Sequence, residues 1–432
     1  MANSAPIEVW HKILKYAIAV PLFFEPDPIT VYGVGMFSEY HFEAGYWESE
    51  RRRNILRRVC QSWNAFLKPY DHRYVCLSDI YDGLIRTDAI SMAIRLNINP
   101  DVHSHPDIQG LFSGMSALLR SYIAPDGIRR HLINEWKLEI LDGASVMDPA
   151  ILAKWLEDLP HLRAVTQPTY AHGDKVMPRG AGLRLLYTEP TWTSASTEPF
   201  AFQHLTTLLL AAVPLTLSFK TWRLPSLRHL SIKVFGPRRY IRNPFDSVDA
   251  DAFTEKMLEI VRHLGKNLIT LHYQGLVKSC PIPDLWSHIP HVERIQFPYW
   301  KGTIIPTGHC VRIVTIPIAL LAGFISSKGV APSPSILEHL PHPAQFPAHN
   351  FIIKMNLPWF VALMKRPVLN ETPLVETALW LQQYYESIGA KLIDSDEVTL
   401  DRYLVFLIQY FWKDHRGQFS SKHTRYAHIF PF

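Results

Sequence analysis

The chain has 432 residues, of which 47% are hydrophobic and 19% are charged, so it is typical of a folded protein with a large core rather than a disordered tail or a fibrous repeat. Its 44 lysines and arginines and 39 acidic residues leave a formal net charge of only +5, which argues against a nucleic-acid partner. At about 150 residues per domain, this length predicts about three domains or one elongated repeat array.

No membrane or secretory signal stands out in the sequence. Glu8, Lys12 and Lys15 interrupt the N-terminal segment, and the longest uncharged run, 313–327, has 15 residues where a bilayer span needs about 20. The four cysteines form no C-x-x-C pair, which favours buried thiols in a reducing compartment. We therefore expect a cytoplasmic or nuclear protein with no membrane partner.

Proline is frequent, with 33 prolines against 20 glycines. The proline-rich stretches 21–28, 281–290 and 332–347 predict connections, because proline fixes φ and removes a hydrogen-bond donor. We interpret the first and the last as boundaries.

Two amphipathic helices are predicted near the N-terminus. Apolar residues recur at helical spacing over 6–16, and a second stripe runs through 48–68 until Pro69. The arginines of the second helix are interpreted as a solvated face; they are Arg51, Arg52, Arg53, Arg57 and Arg58.

These two segments carry a family resemblance. Residues 5–14, A-P-I-E-V-W-H-K-I-L, and 56–63, L-R-R-V-C-Q-S-W, resemble the opening L-P-x-E-[IVL]-W-x-x-I-L and the closing V-C-[KR]-x-W segments of the F-box family, particularly the F-box-like proteins of fungi. The chain departs from that pattern at Ala5, where the family has Leu, and in the long separation Ala17 to Arg51.

The resemblance implies a three-helix module that docks on a Skp-type adaptor of a cullin-RING ubiquitin ligase. Trp10 and Leu56 are then expected in the core of the module. Carried over by position, the expected adaptor-binding residues are Pro6, Ile7, Ile13, Leu14, Val59 and Trp63. The alternative is a plain helical cap on a larger fold.

A repeat follows in the middle of the chain. The pattern L-x-x-L-x-L, loosely filled, begins at 162, 183, 205, 227, 268 and 292, and we interpret the long 227–268 interval as two periods. An earlier copy is predicted at Leu138/Ile140. Predicted helices over 151–159 and 253–264 lead directly into strands, so the repeating unit is a helix followed by a strand.

This repeat resembles the irregular leucine-rich-repeat regions found behind F-boxes. The predicted fold class is therefore α/β: an all-α F-box-like module at 1–75, an irregular leucine-rich-repeat-like solenoid at 76–345, and a C-terminal helical cap at 346–432. The cap is predicted to contain helices at 374–385 and 400–412. An ordinary α/β domain with short strands remains the alternative.

In a solenoid of this kind, alternate strand residues lie on an exposed concave surface that binds proteins. The residues predicted to contact a target protein are Tyr187, Glu189, His229, Lys233, His272, Gln274 and Arg294. The same exposed strip is predicted to include Lys137, Glu139, Thr166, Ser231, Thr270 and Gln296.

Catalytic motifs are missing from the sequence. It contains no phosphate-loop, dinucleotide, serine-hydrolase or zinc-protease motif, and the pair His103 and His105 has no third ligand at a recognisable spacing. We therefore expect no catalytic residue, cofactor or metal.

The predicted function is a substrate-recognition subunit of an SCF-type ligase that binds the adaptor and cullin complex and an unknown protein substrate. The alternatives are a non-catalytic interaction protein whose F-box-like module takes no part in ubiquitination and, least favoured, an enzyme of unrecognised fold.

Overall fold

A computed structural model of the chain describes residues 6–32, 43–98, 136–143, 155–156, 158–166, 182–188, 201–215, 218–235, 250–274, 284–297, 304–316, 340–341, 351–355, 372–387 and 389–394, with isolated positions at 114, 117, 399 and 402.

Twelve strands of the described chain form one parallel sheet whose strand order follows the sequence. They are β1 Tyr74–Cys76, β2 Arg95–Asn97, β3 Ile140–Asp142, β4 Ala164–Thr166, β5 Leu185–Thr188, β6 Thr207–Pro214, β7 His229–Phe235, β8 Thr270–Gln274, β9 Arg294–Gln296, β10 Ile313–Ile316, β11 Ile352–Met355 and β12 Lys391–Ile393. Since helices lie between these strands, the predicted α/β class is confirmed.

The described α-helices are α1 Ile7–Ala17, α2 Pro28–Tyr32, α3 Ala44–Leu56, α4 Gln61–Leu67, α5 Leu77–Tyr81, α6 Ala250–Leu264, α7 Leu285–His288 and α8 Thr372–Ser387. Short 3-10 turns cover Leu22–Phe24, Lys68–Tyr70, Thr87–Met92 and Gly265–Asn267.

The predicted repeat corresponds to one row of side chains across the sheet. The second apolar position of each copy pairs with that of the next copy, through Val165, Leu186, Leu208, Leu230, Leu271 and Ile295. All six side chains are buried in the main core. The sequence period therefore reports the register of the sheet, because equivalent residues of parallel neighbours lie side by side.

Two details of the repeat prediction are wrong. Leu141, not Ile140, pairs with Val165 and extends the row. The 227–268 interval does not hold two periods, because β7 pairs directly with β8 and the 15-residue helix α6 lies in the connection between them.

Helix α6 confirms the predicted helix before β8. Met257, Leu258, Val261 and Leu264 are buried in the main core, in agreement with the predicted apolar face. The 3-10 turn at Gly265 brings the chain close to the end of α7, where a Cβ on Gly265 would lie 2.5 Å from the carbonyl oxygen of His288. Glycine is therefore required there for close approach.

The N-terminal helices differ from the prediction in one respect. The single helix predicted over 48–68 is two helices, α3 and α4, because the backbone at Cys60 is extended (φ −161°, ψ 166°). The break turns α4 back so that Leu67 packs with Leu14 and Ile18 in a separate small core.

The arginines of α3 are not all solvated. Arg51, Arg52 and Arg58 are exposed as predicted, but Arg53 is buried. Its Nε donates a 2.7 Å hydrogen bond to Glu50, and its guanidinium also forms an ion pair with Asp71. The solvated-face interpretation is therefore wrong for Arg53, because the fold brings carboxylates to it.

Several side chains on the second face of the sheet, opposite the leucine row, are also buried. Thr166, Thr207, Thr270 and Gln296 each expose 1% or less of their surface. The prediction of an exposed polar strip is therefore wrong for Thr166, Thr270 and Gln296.

The proline-rich stretch 21–28 packs onto this second face rather than forming an open connection. Phe23 is buried with Tyr46 of α3 and Tyr74 of β1. The backbone carbonyl of Phe23 accepts a 2.6 Å hydrogen bond from Arg95 of β2. The N-terminal helices and the first strands are thus in direct contact, with no linker between them at this point.

The C-terminal part combines strand and helix. Helix α8 confirms the helix predicted at 374–385, but β11 and β12 continue the sheet beyond residue 345, so the described part of the predicted cap is not purely helical. The second helix predicted there, 400–412, lies outside the described residues apart from position 402.

No helix in the described ranges is both long and apolar enough to cross a membrane. Cys60 and Cys310 are exposed and Cys76 is half-buried, so the prediction of buried thiols is wrong for the first two.

Candidate functional site

An exposed apolar stripe runs along α1. Val9, Ile13 and Tyr16 recur at i, i+4 and i+7, and they expose 42%, 48% and 87% of their surface. Ile7 at the start of the helix is exposed as well. The outer side of α1 is therefore apolar and open to solvent.

The inner side of α1 is packed against α4. Trp10 and Trp63 lie with their ring centroids 5.3 Å apart, and His11 stacks on Phe66 at 3.9 Å. Leu14, on the same side, exposes only 1% of its surface. These contacts fix which side of α1 faces outward.

The predicted adaptor-binding residues divide into two groups. Pro6, Ile7, Ile13 and Val59 are exposed. Leu14 is buried, so its assignment as a contact residue is wrong: it packs beside Leu67 in the small core. Trp63 is half-buried against that same core, together with Leu56 as predicted.

The residues predicted to bind the adaptor did not include Val9, Tyr16 and Ile55, which are exposed apolar residues of these helices. The helical spacing of Val9 and Tyr16 relative to Ile13 was the available signal. Ile55 and Val59 lie beside the break between α3 and α4, which the predicted continuous helix concealed.

A buried ion network holds these helices to the sheet. Glu50 of α3 accepts hydrogen bonds from Arg53 at 2.7 Å and from Arg73, just before β1, at 2.9 Å. Arg73 also donates to the backbone carbonyl of Ile18 at 3.1 Å, beyond the end of α1. The Arg73 guanidinium therefore joins three separate segments, since it bonds both to Glu50 of α3 and to the backbone beyond α1.

The predicted target-binding residues lie on the second face of the sheet but are not freely exposed. His229 and His272 each expose only 7% of their surface, so their assignment to an exposed surface is wrong. Tyr187 and Arg294 are half-buried. Glu189 and the side chains of Lys233 and Gln274 lie outside the described residues.

Burial controls the charge of these two histidines. It lowers the pKa of His272 to about 3, with the charges of His229 and Arg294 acting in the same direction. Burial also lowers the pKa of His229 to about 4, although the nearby Asp27 carboxylate opposes the shift. Both imidazoles are therefore neutral at pH 7.

A small cavity of about 10 Å³, the space of about one water molecule, lies beside them, and its lining includes Ile29, Thr207, His229, Ser231, Thr270 and His272. His229 Nδ1 lies 3.1 Å from the hydroxyl of Thr270. The Nε2 atoms of His272 and Gln296 are buried without a hydrogen-bond partner among the described residues. These two residues are register neighbours on β8 and β9, so the two polar atoms belong to one patch.

The described residues contain no group of three or more His, Cys, Asp or Glu side chains arranged to hold a metal ion. No protein-family model, curated protein or solved structure matches this chain.

Proposed function

We propose that the chain is a substrate-recognition subunit of a cullin-RING (SCF-type) ubiquitin ligase. In this proposal the N-terminal helices dock a Skp-type adaptor, the sheet presents a target protein in the cytoplasm or nucleus, and the chain performs no chemistry and holds no cofactor. The observation that carries the proposal is the exposed stripe of Val9, Ile13 and Tyr16 on a helix whose other side is already packed.

The energetics support a partner on this stripe. Fully covering an aliphatic or aromatic side chain of this size contributes about 1.5–3 kcal/mol, so three half-exposed side chains together supply several kcal/mol of association. The buried network around Glu50 holds α1, α3 and the start of the sheet together, which supports a pre-organised surface.

We also propose the finer architecture that this function needs. Helices α1, α3 and α4 form an F-box-like module, and the sheet is the strand layer of an irregular leucine-rich-repeat-type solenoid. The sequential parallel order and the single row of leucines support the solenoid, because each repeat contacts only its neighbours in such arrays.

The test is capture of the purified full chain by an immobilised Skp-type adaptor. Ile13→Asp places a charge in the stripe and is expected to weaken capture at least tenfold. Ile304→Asp is the matched control, because Ile304 is also exposed but belongs to a loop far along the chain, and it should leave capture unchanged. Capture that is equally strong with Ile13→Asp rejects the proposed surface.

A second candidate is a protein-interaction subunit outside ubiquitination, in which the F-box-like module is structural. The role of Leu14 and Trp63 in the small core favours it, since both were expected at the adaptor. A folded chain that binds no adaptor at all would select this candidate.

A further inference from the structure

The segment from Leu22 to Tyr32 lies on the second face of the sheet through Asp27. The Asp27 carboxylate is almost fully buried and accepts a 2.8 Å hydrogen bond from the Thr207 hydroxyl, while the Thr206 hydroxyl contacts its other oxygen. The Thr30 hydroxyl completes the set at 2.7 Å. The backbone N–H of Thr30 also donates to this carboxylate, at 3.3 Å. The sheet side therefore contributes hydroxyl donors, from Thr206 and Thr207, and the described residues form no ion pair with Asp27.

Ile29 makes the second contact of this segment. Its side chain packs in a small cluster with Ile140, Ala164, Leu185 and Leu209, which come from four successive strands. The segment therefore uses an acidic residue and an aliphatic residue two positions later. The apolar side chains of the sheet pack against Ile29, and the hydroxyl donors of the sheet bind Asp27.

The face continues past Ile29 with polar groups that the segment does not satisfy. The cavity next to Ile29 is lined by His272, and the buried Nε2 atoms of His272 and of its register neighbour Gln296 have no described partner. Buried polar atoms of this kind cost free energy unless a ligand or water bonds to them. Residues 22–32 therefore leave two buried polar groups of this face without a described hydrogen-bond partner.

We propose that the second face of β3 to β6 is a peptide-docking surface and that residues 22–32 occupy it as an internal ligand. The external ligand is a target segment with the same chemistry: an acidic residue followed two positions later by an aliphatic residue. The inference names the class of target that the proposed receptor would bind. In that respect it rests on the proposed function. The docking itself requires no adaptor.

Tethering makes the internal ligand a strong competitor. A segment joined to the protein by a short connection acts at an effective concentration in the millimolar range. An external peptide therefore binds weakly to the intact chain and binds well only when the internal contacts are weakened.

The experiment uses a fluorescent peptide with the sequence of residues 22–32, measured by polarisation against the full-length protein. Asp27→Ala removes the internal acidic group and is expected to strengthen peptide binding at least tenfold over the unmodified chain. Asp88→Ala is the matched control, because Asp88 is an exposed acid elsewhere, and it should bind like the unmodified chain. Adding Thr207→Val to Asp27→Ala should reverse the gain.

Peptide specificity provides the second comparison. A peptide with alanine at both the Asp27 and Ile29 positions is expected to lose binding to the Asp27→Ala protein. The inference is overturned if Asp27→Ala binds the peptide no more tightly than the unmodified chain does. It is also overturned if adding Thr207→Val does not reduce this binding, or if the alanine peptide binds as tightly as the original peptide. If circular dichroism shows that Asp27→Ala does not fold, Ile29→Ala takes its place under the same criteria. Adaptor capture is scored separately, so failure of the docking surface is distinguishable from failure of the proposed function.

Discussion

The hydroxyl of Thr207 donates a hydrogen bond to the carboxylate of Asp27 across a separation of 180 residues in the chain. This bond joins the N-terminal helical part to the middle of the sheet. Because the carboxylate is buried, the loss of a donor leaves part of its charge without a partner.

Thr207→Val should therefore lower the free energy of unfolding by about 1.5–3 kcal/mol, the range for hydrogen bonds to charged groups. Thr307→Val, at an exposed turn, is expected to change it by less than about 0.5 kcal/mol. Urea unfolding of both variants measures the difference. Equal stability of the two variants would show that Asp27 does not depend on Thr207.

Glu50 and Glu48 on α3 offer a matched pair of acidic residues. Glu50→Ala leaves Arg53 and Arg73 buried with fewer partners and should destabilise the fold by about 3–5 kcal/mol. Glu48→Ala removes only a partly exposed pair with Arg52 and should cost less than about 1 kcal/mol. Thermal and urea unfolding test this contrast, and similar losses in both variants would contradict it.

Stability should depend on pH through His272. Its pKa is lowered to about 3 in the folded chain, whereas an unfolded histidine titrates near about 6.5. Protons therefore bind the unfolded chain first, so this contribution is complete above about pH 6.5 and is lost as the pH falls toward about 3.

His272→Gln should flatten the decline of unfolding free energy between about pH 6.5 and 4 by up to about 1.4 kcal/mol per pH unit. His204→Gln, at an exposed position, should leave the slope as it is in the unmodified chain. Urea titrations at a series of pH values provide the measurement. An unchanged slope in His272→Gln would mean that His272 is not buried in solution.

Two glycines should respond to alanine in opposite directions. A Cβ at Gly265 meets the His288 carbonyl at 2.5 Å, so Gly265→Ala should cost about 1–3 kcal/mol. A Cβ at Gly45 in α3 has its nearest neighbour, a Val20 methyl group, at 3.8 Å, so Gly45→Ala should stabilise by about 0.5–1 kcal/mol. Differential scanning calorimetry of both variants checks the sign of each effect.

By itself the sequence determined the α/β class, helices α1, α6 and α8, and the leucine row of six strands. These features follow from local periodicity, because side chains recur every 3.6 residues in a helix and equivalent positions align in parallel strands. The Asp27–Pro28 pair is also a local signal for the start of helix α2, because Asp before Pro favours a helix start. In the structure the backbone N–H of Thr30 donates to Asp27 at 3.3 Å.

Only the tertiary structure decided which side of α1 faces solvent, so that Ile13 is exposed and Leu14 is buried. It also decided that Asp27 and Ile29 cover strands far along the chain and that His229 and His272 are buried. Each of these outcomes depends on contacts between segments that are distant in sequence. Helical or strand periodicity specifies which residues share a face, and the packing of the whole chain determines what covers that face.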